Sequence, residues 1–251
     1  MARPNKQKRA TLMNIHEPAL VLSQVSYDYE QQVILSAINV TFYKQETIGI
    51  MGPPQSGKST LLKLCAGLIK PVSGHVLVTN PHSPISMVFQ NNALFDSMTV
   101  FNNLAFPLRM NTQLAESDIK AQVFEWLTRF DLMHACDLLP LMLSGGMKKK
   151  VAILRAHMLN PEICLYDEPT LGLDPQSQMQ VSALLKSHIQ SQTPTTLIAS
   201  HDIEFLIQHC QRILFLEEGH IQYDGAKELL HQQPKIAHFL KGSGIFEFYH
   251  P

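Results

Sequence analysis

One eight-residue segment limits this chain more than any other. Gly52-Pro53-Pro54-Gln55-Ser56-Gly57-Lys58-Ser59 conforms to G-x-x-x-x-G-K-[ST]. It follows the apolar run Thr47–Met51 and opens a helix expected over residues 59–68, ended by Pro71. A strand, a glycine-rich turn and a helix start in that order gather backbone N–H groups around one point, which suits phosphate oxygens. Lys58 would neutralise charge on β- and γ-phosphates, and the Ser59 hydroxyl would ligate Mg²⁺.

The rest of the chain alternates strands and helices. Short apolar, β-branched runs at residues 19–25, 33–40 and 47–51 read as strands, as do 75–79 and 86–89. Continuous apolar runs at 163–166, 195–199 and 213–216 suit strands buried on both faces. A helix is expected over 118–130, where Val123, Trp126, Leu127 and Phe130 make one apolar stripe. Trp126 therefore belongs to the core. Asp174-Pro175 reads as an N-cap with proline at the first helical position, starting a helix through about residue 187. This pattern predicts a largely parallel α/β sheet, with a mostly helical lobe inserted over 91–157.

Composition excludes several classes. With 251 residues, the chain makes one large domain or two small ones. Apolar residues are 45% and charged residues 16%, so wholesale disorder is not expected. Twenty basic residues against 21 acidic ones do not suggest a wholly basic nucleic-acid binder. No apolar run approaches the roughly 18–20 residues that cross a bilayer. The start of the chain lacks the apolar core of a secretory signal. Cys65 and Cys164 have apolar neighbours, and Cys65, Cys136, Cys164 and Cys210 show no C-x-x-C spacing, so buried, reduced thiols of a cytosolic protein are expected.

Two further motifs carry chemistry. The apolar run 163–166 ends in Asp167-Glu168. A carboxylate at a buried strand end is costly unless a metal or donor compensates it, which assigns Asp167 to the Mg²⁺ shell. Glu168 is placed to polarise an attacking water. Leu143-Ser144-Gly145-Gly146-Met147 before a helix makes a second anion-binding terminus. One phosphate site rarely needs two such loops from one subunit, so the second suggests service to a neighbour's nucleotide.

Taken in order, the phosphate loop, Gln90, Leu-Ser-Gly-Gly, Asp167-Glu168, Asp174 and His201 resemble the ATP-binding-cassette (ABC) transporter ATPases over roughly residues 19–232. The resemblance implies an α/β P-loop NTPase fold with a mostly parallel core sheet, an antiparallel β-subdomain and a helical subdomain. It implies ATP and Mg²⁺, and a head-to-tail dimer with two ATP molecules between subunits. By resemblance, Gly52, Pro53, Pro54, Gln55, Ser56, Gly57, Lys58, Ser59 and Thr60 hold ATP, and Tyr29 corresponds to the aromatic on adenine, ahead of Tyr27. Gln90 resembles the glutamine that touches Mg²⁺ and senses the transmembrane partner, and Ser59 and Asp167 complete the metal set. Ser144, Gly145, Gly146, Met147 and Asp174 would act on the opposing subunit's site. His201 would bond the γ-phosphate beside Glu168 and Lys58. The other eleven histidines carry no motif.

A narrower resemblance lies in Gln90-Asn91-Asn92-Ala93-Leu94-Phe95, Met98 to Asn103 and Ala105 to Arg109. This stretch, Met147 after Ser-Gly-Gly, and residues 236–251 are similar to the ATPase subunit of Mla-type phospholipid transporters, relatives of Mce systems. That family implies an inner-membrane permease, an Mce-domain lipid-binding protein and often a STAS-domain subunit, with the ATPase peripheral on the cytoplasmic face. Two rivals stand beside it. One is an ABC ATPase for another substrate. The other is a non-transport ABC protein on ribosomes or DNA, although neither tandem cassettes nor long coiled-coil insertions occur here.

Some features depart from the pattern. Gln55 stands where ABC proteins usually have glycine, and a left-handed backbone there would cost about 1 kcal/mol. The short spacing from Lys58 to Gln90 points to a trimmed β-subdomain, with Asn80-Pro81-His82-Ser83-Pro84 as a tight link. Lys148-Lys149-Lys150 is expected as a solvated basic face, with added potential toward a nucleotide or acidic partner as the alternative. Residues 1–11 read as a basic, solvated tail or a weak lipid-headgroup contact, and 12–235 as the ATPase domain. The aromatic tail 236–251, with Phe246, Phe248 and Tyr249, packs on its own domain or docks on a partner.

Overall fold

The computed structural model describes residues 17–242. The expected basic tail 1–11 and the aromatic Phe246, Phe248 and Tyr249 lie outside the described residues. The chain begins with β1 (Pro18–Tyr29), β2 (Gln32–Tyr43) and β3 (Thr47–Met51), then α1 (Lys58–Cys65), β4 (Ser73–Val78) and β5 (Ile85–Val88). The helical insertion follows as α2 (Val100–Asn111), α3 (Glu116–Arg129) and α4 (Gly145–His157). The second half alternates β6 (Ile163–Asp167), α5 (Pro175–Gln192), β7 (Thr195–Ala199), α6 (Ile203–His209), β8 (Arg212–Glu217) and β9 (His220–Ala226), ending in α7 (Pro234–Gly242).

Two sheets result. The larger has order β5-β6-β7-β3-β8-β9. It is parallel from β5 to β8, and β9 pairs antiparallel with β8 at the edge. The smaller is antiparallel, in the order β2-β1-β4. This is the α/β architecture with a mainly parallel core that the alternation predicted, and the three-stranded antiparallel sheet is the β-subdomain that the resemblance implied. The link after β4 is tight, as Ser83 N donates to Asn80 O at 3.1 Å.

The large sheet has a core on each face. On one face Ile163 and Leu165 of β6 join Ile48 and Ile50 of β3, Leu61 and Leu62 of α1, and the inward side of the small sheet. On the other, Cys164 and Tyr166 of β6 join the lobe helices and α5. The period-two alternation of β6 thus glues both layers to one strand. Val123 and Leu127 of α3 are buried, with Trp126 and Phe130 packed against the same cluster. Ile236 and Leu240 of α7 are buried there too.

Several expectations needed correction. α1 ends at Cys65, short of residue 68, and the stop is Gly67 rather than Pro71. Gly67 has φ 69, and Gly67 N→Leu64 O and Leu68 N→Lys63 O close a Schellman turn. α5 runs on to Gln192, five residues beyond expectation, because Val181, Leu184, Leu185 and His188 bury one face. β9 and α6 had no sequence assignment, and α7 overlaps the start of the expected tail 236–251, where Ile236 and Leu240 pack on the domain's own core. β9 is an edge strand with a weak alternating pattern. Cys65, Cys164 and Cys210 are buried as expected, but Cys136 is half-buried. It lies in the turn-rich link between α3 and α4, packed against the edge of the core.

Candidate nucleotide-binding and catalytic site

Parallel strands deliver the motifs to one edge of the sheet. The loop 52–57 leaves β3, Gln90 follows β5, Glu168 follows β6, and Ser200 and His201 follow β7. Because these strands run the same way, all four segments emerge at their carboxyl ends, where α/β proteins build sites.

The loop is shaped by two glycines. Gly52 has φ 152, and a Cβ there would lie 2.0 Å from Leu216 O. Gly57 has φ 100, and its Cβ would meet Leu35 Cδ2 at 2.8 Å. Gln55 has φ 63, so this side chain does sit on a left-handed backbone. The loop leads into α1, whose first turn carries Lys58, Ser59 and Thr60. Lys58 is buried and donates to Gly52 O at 3.0 Å and Pro53 O at 2.9 Å. Its ammonium is thereby held across the mouth of the loop. Burial lowers its pKa, and Glu168 and Asp167 oppose that shift.

The acids lie beside it. Ser59 Oγ donates to Asp167 Oδ1 at 2.9 Å. Burial pushes the Asp167 carboxyl up, against the pull of Ser59 and nearby lysines. An oxygen-rich pair on a desolvated carboxylate fits Mg²⁺, which takes oxygen ligands. Glu168 is buried with φ 49. Its Oε2 accepts from Ser200 Oγ at 3.3 Å and His201 N at 3.2 Å. Oε1 faces His201 Nε2 at 3.4 Å and accepts no hydrogen bond among the described residues.

Most of the expected site residues line one cleft of about 420 Å³, while Gly52, Pro53 and Asp167 lie outside its lining. Pro54, Gln55, Ser56, Gly57, Lys58, Ser59 and Thr60 line it, facing Gln90, Glu168 and His201. Gln32, Ile34 and Leu171 also line it, and the sequence reading missed them. Ordinary side chains at strand and turn positions leave no motif. Tyr29 is outside the lining, 61% exposed at the tip of the β1–β2 hairpin.

The Ser144 loop stands apart from this cleft. Ser144 is exposed and caps α4 by accepting from Met147 N at 3.2 Å. Asp174 caps α5, accepting from Ser177 N at 3.0 Å and Ser177 Oγ at 2.6 Å, which hold its carboxyl low. Ser177 packs so tightly against Gly146 that a Cβ there would lie 2.4 Å from Ser177 Oγ. Ser177 thus joins the exposed Asp174 to the buried Gly146, beside the exposed Gly145 and the half-buried Met147. Lys148-Lys149-Lys150 is not a uniformly solvated face. Lys149 is 2% exposed, because the α4 register turns it toward the sheet. Lys148 and Lys150 are half-buried.

A family model described as ABC transporter matches residues 35–171, more than half the chain. The chain belongs to the ABC transporter family. Its fold is the ABC ATPase cassette fold, and it is an ABC transporter ATPase subunit. This ABC cassette is similar to the dimeric structure of a bacterial ABC transporter cassette (TM-score 0.75, 28% identity, 82% of this chain and 98% of that one). It is likewise similar to a post-hydrolysis cassette bound to ADP and Pi (TM-score 0.73, 28%, 82% and 98%). Among relatives, a methionine import ATP-binding protein MetN of Chlamydia pneumoniae is 34% identical over 86% of this chain and 67% of its own. A spermidine/putrescine import protein PotA of Pasteurella multocida is 33% identical over 92% and 65%. The intermembrane phospholipid transport protein MlaF of Haemophilus influenzae is 30% identical over 94% and 96%. The cassette therefore spans about two thirds of the MetN and PotA chains, and nearly all of MlaF. ABC cassettes work as dimers with transmembrane permeases. No helix of the described residues is long and apolar enough to cross a membrane.

Proposed function

We propose that this cassette binds and hydrolyses ATP to power phospholipid movement between the inner and outer membranes of a Gram-negative-type bacterium, as an Mla-type subunit. The observation that carries the lipid reading is the segment from Gln90 to Arg109, with Met147 after Ser-Gly-Gly, which resembles the Mla-type branch. The 30% identity to MlaF over 94% of this chain supports the same branch. MetN's 34% identity favours the second reading, an ATPase serving another substrate.

In the mechanism, the amides of 52–57 cradle the phosphates and Lys58 neutralises charge on the γ-phosphate. Ser59, Asp167 and Gln90 would hold Mg²⁺, which when bound supplies further charge neutralisation. Glu168, with Oε1 unpaired, orients the attacking water and accepts its proton. His201, facing that oxygen, supports the charge that develops on the phosphate. Tyr29 stacks on adenine from its exposed position. The second copy presents Ser144, Gly145, Gly146, Met147 and Asp174 to the γ-phosphate, which excludes water only when the dimer closes.

The transport assembly is tested by pulldown from detergent-solubilised membranes. Recovery of a permease with an Mce-domain protein, with or without a STAS-domain subunit, at the cytoplasmic face of the inner membrane is expected. Recovery of a ribosome, or of a permease with an amino-acid-binding protein, would overturn the lipid reading.

A further inference from the structure

Lys149 has no part in the mechanism just described, yet it is the most deeply buried cation near it. It lies on α4, little more than a turn beyond Ser144. Nζ donates to Gln90 O at 3.0 Å and to Glu168 O at 3.4 Å. A buried ammonium is costly unless fully paired, so its retention calls for a compensating role. Desolvation lowers its pKa to about 8, against the opposing pull of Asp167 and Glu168.

The two acceptors are related by register. Val88 of β5 pairs with Tyr166 of β6. Gln90 and Glu168 are each two residues further on, just past the end of that ladder. Lys149 bridges two strand ends that no longer hydrogen-bond to each other. It does so at a residue with a left-handed backbone, since φ 49 at Glu168 persists only if its surroundings hold it. Six residues along α4, Arg155 Nη2 donates to Ala93 O at 2.8 Å and its guanidinium lies 5.1 Å over the Phe95 ring. α4 therefore grips the segment after β5 at both ends.

We infer that Lys149 is a positioning residue, setting Glu168 against Gln90 for hydrolysis and tying both to the helix that begins at Ser144. The inference rests on the ATPase reading above. Removing the bridge releases the Glu168 turn, and a small displacement of a group that orients water costs rate steeply. The phosphate loop is untouched, so ATP affinity is kept. The effect falls on kcat rather than on binding.

The test uses the full chain with Mg²⁺, measuring steady-state hydrolysis and binding of a fluorescent ATP analogue, with circular dichroism to verify folding. Lys149→Met should lower kcat more than fivefold while nucleotide affinity stays within threefold. A smaller loss of kcat would overturn the inference, as would equal losses of kcat and affinity. Lys149→Gln keeps one donor group without the reach to both carbonyls. It is judged by the same threshold should the Met variant fail to fold. Glu168→Gln separates the two levels. Absence of hydrolysis in the wild-type chain would remove the ATPase reading itself, and wild-type turnover in Glu168→Gln would remove the catalytic role of Glu168, whereas a dead Glu168→Gln beside a fully active Lys149→Met would remove only the role of Lys149.

Discussion

Ser59 and Asp167 are 108 residues apart in sequence, and Ser59 Oγ donates to Asp167 Oδ1 at 2.9 Å. That bond joins the first helix to the end of β6 and stabilises a carboxylate that burial disfavours. Ser59→Ala removes the donor and leaves Asp167 less compensated. A loss of about 1–3 kcal/mol in folding stability is expected in urea titration. The Mg²⁺ concentration for half-maximal hydrolysis should rise at least several-fold. An unchanged Mg²⁺ dependence would argue against a shared metal role.

Glu168→Gln keeps the shape of the side chain and its acceptor oxygen but cannot take a proton. Hydrolysis should fall at least a hundredfold, measured as phosphate release. ATP-driven dimerisation, followed by size-exclusion chromatography, should persist because the phosphate loop and the Ser144 surface are intact. Normal turnover would contradict the assignment.

Two glycines with positive φ should respond differently to alanine. At Gly52 the new methyl would collide with the Leu216 carbonyl at 2.0 Å, so ATP binding should be lost. At Gly67 nothing lies within 4 Å of the added carbon. Only the left-handed backbone is penalised there, at about 1 kcal/mol, with ATP binding unchanged. Equal effects at the two sites would mean that conformation, not collision, governs the loop.

His157 and His188 stack with ring centroids 3.4 Å apart beneath Trp126. Burial holds both pKa values low, with the charge of His188 opposing protonation of His157 and that of Arg129 opposing protonation of His188. His188 is brought to about 4. The unfolded chain takes up these protons below about pH 6.5, and the folded chain resists. Stability contributed by the pair is therefore complete above pH 6.5 and declines as pH falls toward 4. For His188 the decline amounts to about 3 kcal/mol. Denaturant midpoints between pH 4 and 7 measure it, and His188→Leu should flatten the slope. A slope identical to wild type would show that His188 titrates alike in both states.

How much of this could be read in advance follows from how local each signal is. The loop 52–59, the Asp174 cap and the Ser144 cap are written within a few adjacent residues, because backbone turns and helix starts depend on near neighbours. Gln55 on a left-handed backbone agrees with the glycine that the family resemblance places there. Gln32, Ile34 and Leu171 carry no such signature, and they reach the cleft only through the folding of distant segments. Lys149 is the sharpest case. Three consecutive lysines read as a solvated face, yet one turns inward onto two strand ends.

The sequence by itself determined the class of sheet, the phosphate loop, the acids at the end of β6 and the membership of the family, since each depends on periodicity or on short-range backbone chemistry. Only the tertiary structure decided which residues meet. It brought Ser59 to Asp167, His201 to Glu168 and Lys149 to Gln90, because those contacts are set by the parallel register of β5, β6, β7 and β3 and by the packing of α4 on that sheet.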